Sequence, residues 1–193
     1  MNKTIAASLS MFVTACSAFG QTPVRPPAVP LIANDPYFSV WSMTDTLNGN
    51  PTRHWTGREH RLTSIVRIDG KSFRLMGDQP STVTAAKQVN LTVTPTRSIY
   101  EFEEGGVRLT LTFMTPMLPD DLMVMSRPVT YVTWSAKSTT DASHDVAVYL
   151  DAGAELAVNN ADQKVTTQAG SAGAPQDASC RFRRTAGAGV EGG

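Results

Sequence analysis

The sequence predicts an all-β protein, an antiparallel β-sandwich preceded by an extended N-terminal segment. Three observations predict this class. Apolar residues alternate with polar ones in successive short stretches from Leu62 onward, turn-forming residues separate these stretches, and no long apolar repeat has the 3.6-residue period of a helix. Strands that bury only one face show this alternation, because neighbouring side chains point to opposite faces of a sheet.

Composition divides the chain into four parts. Residues 1–20 are predicted to be a signal peptide, residues 21–60 an extended N-terminal segment with loops, residues 61–168 a β-sandwich that is incomplete, and residues 169–193 a disordered or frameshifted tail. The length of 193 residues and the hydrophobic content of 41% suit one domain with short attachments. We therefore expect a single hydrophobic core.

The N-terminus has the features of an export signal. Lys3 supplies positive charge, residues 5–13 form an apolar run too short to span a bilayer, and the small residues of 18–20 favour cleavage before Gln21. The alternative is a lipobox that ends at Cys16, which would then carry lipid. The first route predicts a secreted or periplasmic protein and the second an outer-membrane lipoprotein, and neither leaves a transmembrane segment.

The predicted extended segment begins with a proline-rich run, Arg25-Pro26-Pro27-Ala28-Val29-Pro30. Each proline fixes its own φ and pushes the preceding residue toward extended geometry. This run is therefore predicted to lie as a strap along the domain surface.

The sandwich is predicted to begin with a hairpin. The alternating stretches 65–68 and 72–75 are joined by Asp69-Gly70, a dipeptide that favours a two-residue hairpin turn. A second turn is predicted at Glu104-Gly105-Gly106. Further strands are predicted at 89–93, 99–102, 107–113, 129–136 and 146–150.

Residues 117–125 interrupt the strands. Leu118-Pro119-Asp120-Asp121 predicts a loop or a short turn of helix capped by an aspartate. Asp120 and Asp121 could be read as paired catalytic carboxylates, but adjacent side chains rarely aim at one reacting centre. A solvated loop is the preferred interpretation.

Four blocks occur in order along the first half of the chain: DPYFSVW at 35–41, HWTG at 54–57, IVRIDG at 65–70 and LMG at 75–77. Through them, residues 22–165 resemble the opening of the secreted glutaminase-A-like proteins of bacteria and fungi. The resemblance implies a β-rich N-terminal region that full-length relatives follow with a large helical-toroid domain hydrolysing the side-chain amide of glutamine.

What the resemblance implies for this chain is an accessory role. The chain would pack on its own missing catalytic domain and shape one wall of a pocket for a small-molecule substrate. It would hold no catalytic residue by itself, and alone it is expected not to hydrolyse glutamine. The alternative function is a free-standing carbohydrate- or surface-binding sandwich that uses exposed aromatic side chains as its platform.

Trp41, His54, Trp55 and Arg58 are the candidate substrate- or domain-facing residues. They lie in loop-like sequence flanked by glycine and proline, where the alternative for the tryptophans is a buried wedge. Arg58 either solvates its loop or pairs with a carboxylate on a partner. Trp134 lies in an alternating stretch and is predicted to be core.

Other chemistry is not indicated. His54, Glu59 and His60 lie close together, but they lack the helical spacing of a zinc peptidase motif, so neither a metal nor another cofactor is predicted. Nucleophile-elbow, phosphate-loop and dinucleotide motifs do not occur. The 17 basic and 17 acidic residues balance, which argues against nucleic acid as a partner. Cys16 and Cys180 predict no disulfide framework.

The tail is rich in alanine, glycine and arginine and holds few large apolar residues. Such a composition buries too little surface to offset the entropy of ordering. A shifted reading frame or a truncated gene is the preferred interpretation, and a natural flexible linker is the alternative.

Overall fold

The computed structural model describes residues 25–160 and 163–165, together with the backbone of residues 181–182. The predicted signal peptide, Cys16 and most of the predicted tail, including Cys180, lie outside the described residues. The elements in chain order are β1 (Val29–Ala33), β2 (Ser39–Ser42), β3 (Leu62–Ile68), β4 (Lys71–Met76), β5 (Thr84–Ala85), β6 (Lys87–Thr94), β7 (Arg97–Glu104), β8 (Val107–Met114), α1 (Leu122–Met125), β9 (Tyr131–Ser138), β10 (Val146–Ala152), the 3₁₀ helix η1 (Ala154–Ala157) and β11 (Arg181–Phe182).

The described strands form two large sheets and a separate hairpin. One sheet has the order β6-β7-β8-β9, and all its neighbours are antiparallel. The other has the order β11-β10-β3-β4-β5, in which β10, β3 and β4 are antiparallel and the two-residue edge strands are parallel to their neighbours. Strands β1 and β2 form the hairpin. The predicted all-β antiparallel sandwich is confirmed.

The core lies between the two large sheets. In β7 and β8, cross-strand partners such as Tyr100 with Leu111 and Phe102 with Leu109 point inward and are almost fully buried. The rings of Tyr100 and Phe113 meet edge to face, with centroids 6.3 Å apart. On β3 every second residue is buried. Burial of each such large side chain contributes about 1.5–3 kcal/mol.

The β3–β4 turn is the predicted two-residue hairpin turn. Asp69 and Gly70 have φ angles of 49° and 84°, so both central residues have positive φ. A type I′ turn requires this geometry, and an Asp-Gly pair adopts it at low cost. The predicted hairpin is confirmed.

Two residues are placed differently from the prediction. In the predicted strand 89–93, alternation with polar residues places Val89 on the inward face with Leu91 and Val93. In the structure Val89 lies at a bulge between Gln88 and Asn90 and is 39% exposed. The bulge adds one residue to β6 and so shifts which residues face the core. Trp41, predicted in a loop, lies on β2.

Backbone pairing on both sides explains the position of Trp41. Its Cα partner on β1 is Pro30, and its N–H donates to the Arg53 carbonyl at 2.7 Å while its own carbonyl accepts from the Arg53 N–H at 2.9 Å. The predicted strap, residues 25–30, therefore runs into a strand whose first residue, Val29, is fully buried.

The connections gather at two opposite ends of the sandwich. The end that we call basal holds the β3–β4 turn, the β7–β8 turn and residues 139–145, because Ile68 lies against Gly105 and the Thr139 N–H donates to the Gly106 carbonyl. The end that we call apical holds residues 34–38, 52–60, 115–130 and 153–160. The predicted site residues lie at or beside this apical end.

Candidate functional site at the apical end

The loop of residues 52–60 is fixed by its own hydrogen bonds. The His54 N–H donates to the Arg58 carbonyl at 2.7 Å, and the Gly57 N–H donates to the His54 carbonyl at 2.8 Å. The Thr52 hydroxyl donates to the His60 carbonyl at 2.6 Å and accepts from the Leu62 N–H at 2.8 Å. The loop therefore presents its side chains in set directions.

His54 is buried and uses both ring nitrogens within the protein. Nε2 lies 2.9 Å from the Pro36 carbonyl oxygen, and Nδ1 lies 2.8 Å from the Thr56 hydroxyl. Because a carbonyl only accepts, Nε2 carries the proton. Nδ1 then accepts, also from the Thr56 N–H at 3.3 Å. In this arrangement His54 links the loop to the β1–β2 turn.

His60 packs beside His54. The two imidazole centroids are 5.0 Å apart, and His60 Nδ1 lies 3.3 Å from the Ser39 carbonyl oxygen. Burial lowers the pKa of His60, and the neighbouring His54 and Arg58 lower it further against the opposing effect of the Ser39 contact. His60 is therefore a buried and uncharged support for the loop at neutral pH.

Trp55 and Tyr37 present aromatic rings to solvent on either side of Pro36. Trp55 is 59% exposed, and its indole N–H donates to the Pro36 carbonyl at 2.8 Å, so this oxygen serves both Trp55 and His54. Tyr37 is 89% exposed. The Trp55 ring also contacts the His54 ring, with centroids 5.4 Å apart, and its exposed part is open to a ligand or a protein surface.

The other two candidate residues serve different contacts. Trp41 is half-buried, and its indole N–H is buried without a hydrogen-bond partner among the described residues. The Arg58 guanidinium donates to the Asn159 carbonyl and so ties the loop to the chain after η1. Trp134 is half-buried, packs against the core and donates to the Ser64 hydroxyl at 3.1 Å. That Trp41, His54, Trp55 and Arg58 face a substrate or a domain stays a prediction.

A cavity of about 340 Å³ opens beside this loop, where the ends of β3, β4 and β10 meet. Arg61 and Glu155 form its charged side: the carboxylate accepts from the Arg61 N–H at 2.9 Å and from its guanidinium at 3.0 Å. The full lining is Pro51, Arg61, Leu62, Thr63, Gly77, Asp78, Gln79, Asp151, Gly153, Ala154 and Glu155.

The ion pair between Arg61 and Glu155 shifts the pKa of both side chains. The hydrogen bond and the charge of Glu155 raise the pKa of Arg61. Burial raises the pKa of Glu155, but hydrogen bonds from backbone N–H groups and from Arg61 outweigh it, so the net pKa is lowered. Both groups are thus charged at neutral pH. Since Asp78 and Asp151 also line the cavity, charged groups of both signs face it.

Sequence reasoning missed this cavity, because its lining comes from segments far apart in the chain. One local signal existed in the LMG block. Gly77 has a φ of +81°, and a Cβ there would lie 2.9 Å from the Leu62 carbonyl oxygen. A glycine is required where β4 leaves the sheet against β3.

Large apolar side chains are exposed mainly at the apical end. Nine of the ten exposed large hydrophobics among the described residues lie there, and the exception is Val89. We call these nine the apical apolar surface: Tyr37, Trp55, Met117, Leu118, Leu122, Met123, Met125, Val129 and Tyr131. The sequence predicted a loop or a short turn of helix capped by an aspartate here, and the structure has the helix, with Asp121 as its cap. The sequence did not predict this exposure.

The third histidine lies at the basal end. His144 Nδ1 is 2.7 Å from an Asp69 carboxylate oxygen, and Nε2 is 3.3 Å from the Thr140 hydroxyl. These contacts join the β3–β4 turn to the β9–β10 connection.

Within the described part of the chain, no group of three or more His, Cys, Asp or Glu residues is placed to hold a metal ion. The described helices are all too short to cross a membrane.

Two family models match the chain. Residues 5–87 match a domain of unknown function (DUF4964), and residues 96–186 match a second domain of unknown function (DUF5127). No solved structure matches.

Two curated relatives carry glutaminase names. Glutaminase A of Aspergillus oryzae is 34% identical over 160 residues, which cover 78% of this chain and 23% of that protein. A probable glutaminase of Arthroderma benhamiae is 23% identical over 167 residues, which cover 76% of this chain and 19% of that protein. The chain thus spans about a fifth of the length of these relatives. Together with the strand-rich fold, these matches show that the chain is similar to the N-terminal region of the glutaminase-A-like proteins.

Proposed function

We propose that this chain is the non-catalytic N-terminal region of an exported glutaminase-like amidohydrolase, an enzyme that converts L-glutamine to glutamate and ammonia. Its role is that of an accessory domain packed on the catalytic region. The observation that carries the proposal is the 34% identity to Glutaminase A over only 23% of that protein, which leaves most of the relative outside the shared segment.

The engagement of the histidines supports a non-catalytic role. Amide hydrolysis needs an activated nucleophile or water, a proton donor for the departing ammonia, and donors for the developing oxyanion. His54 spends both ring nitrogens on Pro36 and Thr56, and His60 is buried against it. His144 is bound to Asp69 at the opposite end. Each imidazole therefore has a structural task.

The apical cavity supports a contribution to one wall of the substrate pocket. A free amino acid carries a carboxylate and an ammonium group, and the cavity presents Arg61, which is paired with Glu155, together with Asp78 and Asp151. Groups of opposite sign around a small cavity are the kind of surface that orients a zwitterion. The catalytic region would supply the facing wall and the reacting groups.

The test is ammonia release from L-glutamine by residues 21–193, with Aspergillus oryzae Glutaminase A as the active control. We expect no turnover above the buffer rate from this chain, and none from its His54→Ala variant. Turnover by the unsubstituted chain that the His54→Ala substitution abolishes would contradict the proposal and place catalysis in the loop of residues 52–60.

A second candidate function is carbohydrate or surface binding. The observation that favours it is the exposure of Tyr37 and Trp55, since flat aromatic rings stack on sugar faces. Pull-down on insoluble cellulose, chitin and β-glucan tests it. Retention that Trp55→Ala removes and Val89→Ala leaves intact would establish this function. Equal behaviour of the three proteins would reject it.

A further inference from the structure

We infer that the apical apolar surface is the face on which the catalytic region of the longer glutaminase-like protein docks. The inference rests on the proposed function and names its interface. Its partner is an apolar protein surface supplied by the same polypeptide.

Exposed apolar side chains are concentrated in one connection. Met117, Leu122 and Met123 are 64%, 67% and 73% exposed, and all three lie between β8 and β9. Exposed apolar residues scattered singly are ordinary, but a contiguous patch marks an interaction surface. Tyr37 and Trp55 are exposed at the same end, and the Thr130 hydroxyl joins the β8–β9 connection to Asn34 of the β1–β2 turn.

Hydrogen bonds at both ends hold this connection in shape. The hydroxyls of Thr115 and Thr130 lie 2.9 Å apart at its base, and Thr130 donates to the Asn34 side-chain oxygen at 3.2 Å. At its tip, the Asp121 carboxylate caps α1 by accepting from the Val124 N–H at 3.0 Å. A face that is ordered before binding loses less conformational entropy when it is covered.

The charge and the residue types of this connection indicate the chemistry of its partner. Between residues 115 and 131 the charged residues are Asp120, Asp121 and Arg127, so the connection is slightly acidic. Neither a phosphate backbone nor an anionic lipid surface would be attracted to it. Methionine and leucine instead suit packing against another apolar protein surface, because the flexible thioether adapts to irregular neighbours.

The path of the chain leads to the same end of the sandwich. The last residue of β10, Ala152, pairs with Leu62 at the apical end, and the Arg58 guanidinium donates to the Asn159 carbonyl. The residues that follow β10 therefore lie at the end that carries the apical apolar surface. The shared segment is 23% of Glutaminase A, so most of that relative lies outside it.

The experiment replaces the matched segment of Aspergillus oryzae Glutaminase A with residues 25–165 of this chain. Three chimeras are compared: the unsubstituted one, the double variant Leu122→Asp/Met123→Asp, and the control Val89→Asp, which alters an exposed apolar residue away from the apical end. Glutamine hydrolysis and resistance to limited proteolysis are measured. The same substitutions in the isolated chain, followed by thermal unfolding, report whether the domain itself still folds.

We expect the unsubstituted and Val89→Asp chimeras to hydrolyse glutamine at similar rates, and the double variant to lose about tenfold or more, with faster cleavage at the domain junction. The isolated variants should unfold at similar temperatures, because the substituted side chains are exposed. Equal activity of the double variant and the control would overturn the docking face and leave the proposed function standing. A soluble, folded and inactive unsubstituted chimera would count against the proposed function itself, and the inference would fall with it.

Discussion

Asp69 and His144 join the β3–β4 turn to the β9–β10 connection at the basal end, with a carboxylate oxygen 2.7 Å from imidazole Nδ1 across 75 positions of sequence. The second oxygen of Asp69 accepts from the Asp145 N–H at 2.9 Å. Gly106, in the β7–β8 turn, lies against the same imidazole, since a Cβ on it would be 3.2 Å from Nε2. Three connections thus meet around the Asp69–His144 contact.

The first prediction concerns acid stability. The hydrogen bond from His144, followed by that from Asp145, lowers the pKa of Asp69 from its ordinary 3.8. A carboxyl with a depressed folded pKa contributes stability above its unfolded pKa, and the contribution is lost as pH falls through the folded pKa. Asp69→Asn, which tolerates the positive φ, should therefore lower stability at pH 7 and flatten its dependence below pH 4. Thermal unfolding from pH 2 to 7 checks this, and an unchanged profile would contradict it.

The second prediction concerns His60. Because burial lowers its pKa below the ordinary 6.5, the folded protein prefers the neutral imidazole. Stability from this group is fully present above pH 6.5 and declines as pH falls from there to the lower folded value. NMR titration of the ring protons should give a midpoint below 6.5 for His60. His60→Gln should remove that part of the pH dependence, and a midpoint above 6.5 would refute the assignment.

The third prediction separates two glycines that share a positive φ. A Cβ on Gly57 would have no neighbouring atom within 4 Å, whereas one on Gly77 would lie 2.9 Å from the Leu62 carbonyl oxygen. Gly57→Ala should cost about 1–2 kcal/mol from conformation alone. Gly77→Ala should cost about 3 kcal/mol or more, because the clash adds to the strain. Urea unfolding of both variants measures the loss in the free energy of unfolding. Equal losses would show that β4 can shift away from β3.

The fourth prediction concerns the core. Phe102 is fully buried between the sheets, so Phe102→Ala should lower the free energy of unfolding by about 3–5 kcal/mol. Val89→Ala, at the exposed bulge, should lower it by less than about 1 kcal/mol. Denaturant titration followed by tryptophan fluorescence measures both, and a small loss at Phe102 would mean that the sheets do not enclose it.

Sequence patterns were sufficient where structure is decided locally. Asp69-Gly70 specifies its own turn, and alternation in Val107–Met114 specifies which side chains face the core. Sequence patterns were insufficient where contacts between distant segments determine the structure. The bulge at Val89 depends on how β6 meets β7, and the role of His54 depends on a carbonyl 18 positions earlier.

The same limit applied to the candidate site. The block containing His54 and Trp55 drew attention to the apical end of the molecule, but it did not show that one side chain is buried and the other exposed. The cavity beside Arg61 needs the ends of three strands to converge. The apical apolar surface looked like ordinary loop sequence, because exposure is a property of packing and not of residue type.

The separation of Asp69 from His144 also bears on the order of folding. Strands β6 to β9 pair with sequence neighbours and can form as a local meander, whereas β3 must wait for β10. Pairing between strands far apart in sequence is slower than pairing between neighbouring strands. We expect the β3–β4 hairpin to be synthesised early and to remain a two-stranded unit until β10 emerges, so that the Asp69–His144 contact forms last and reports the completion of folding.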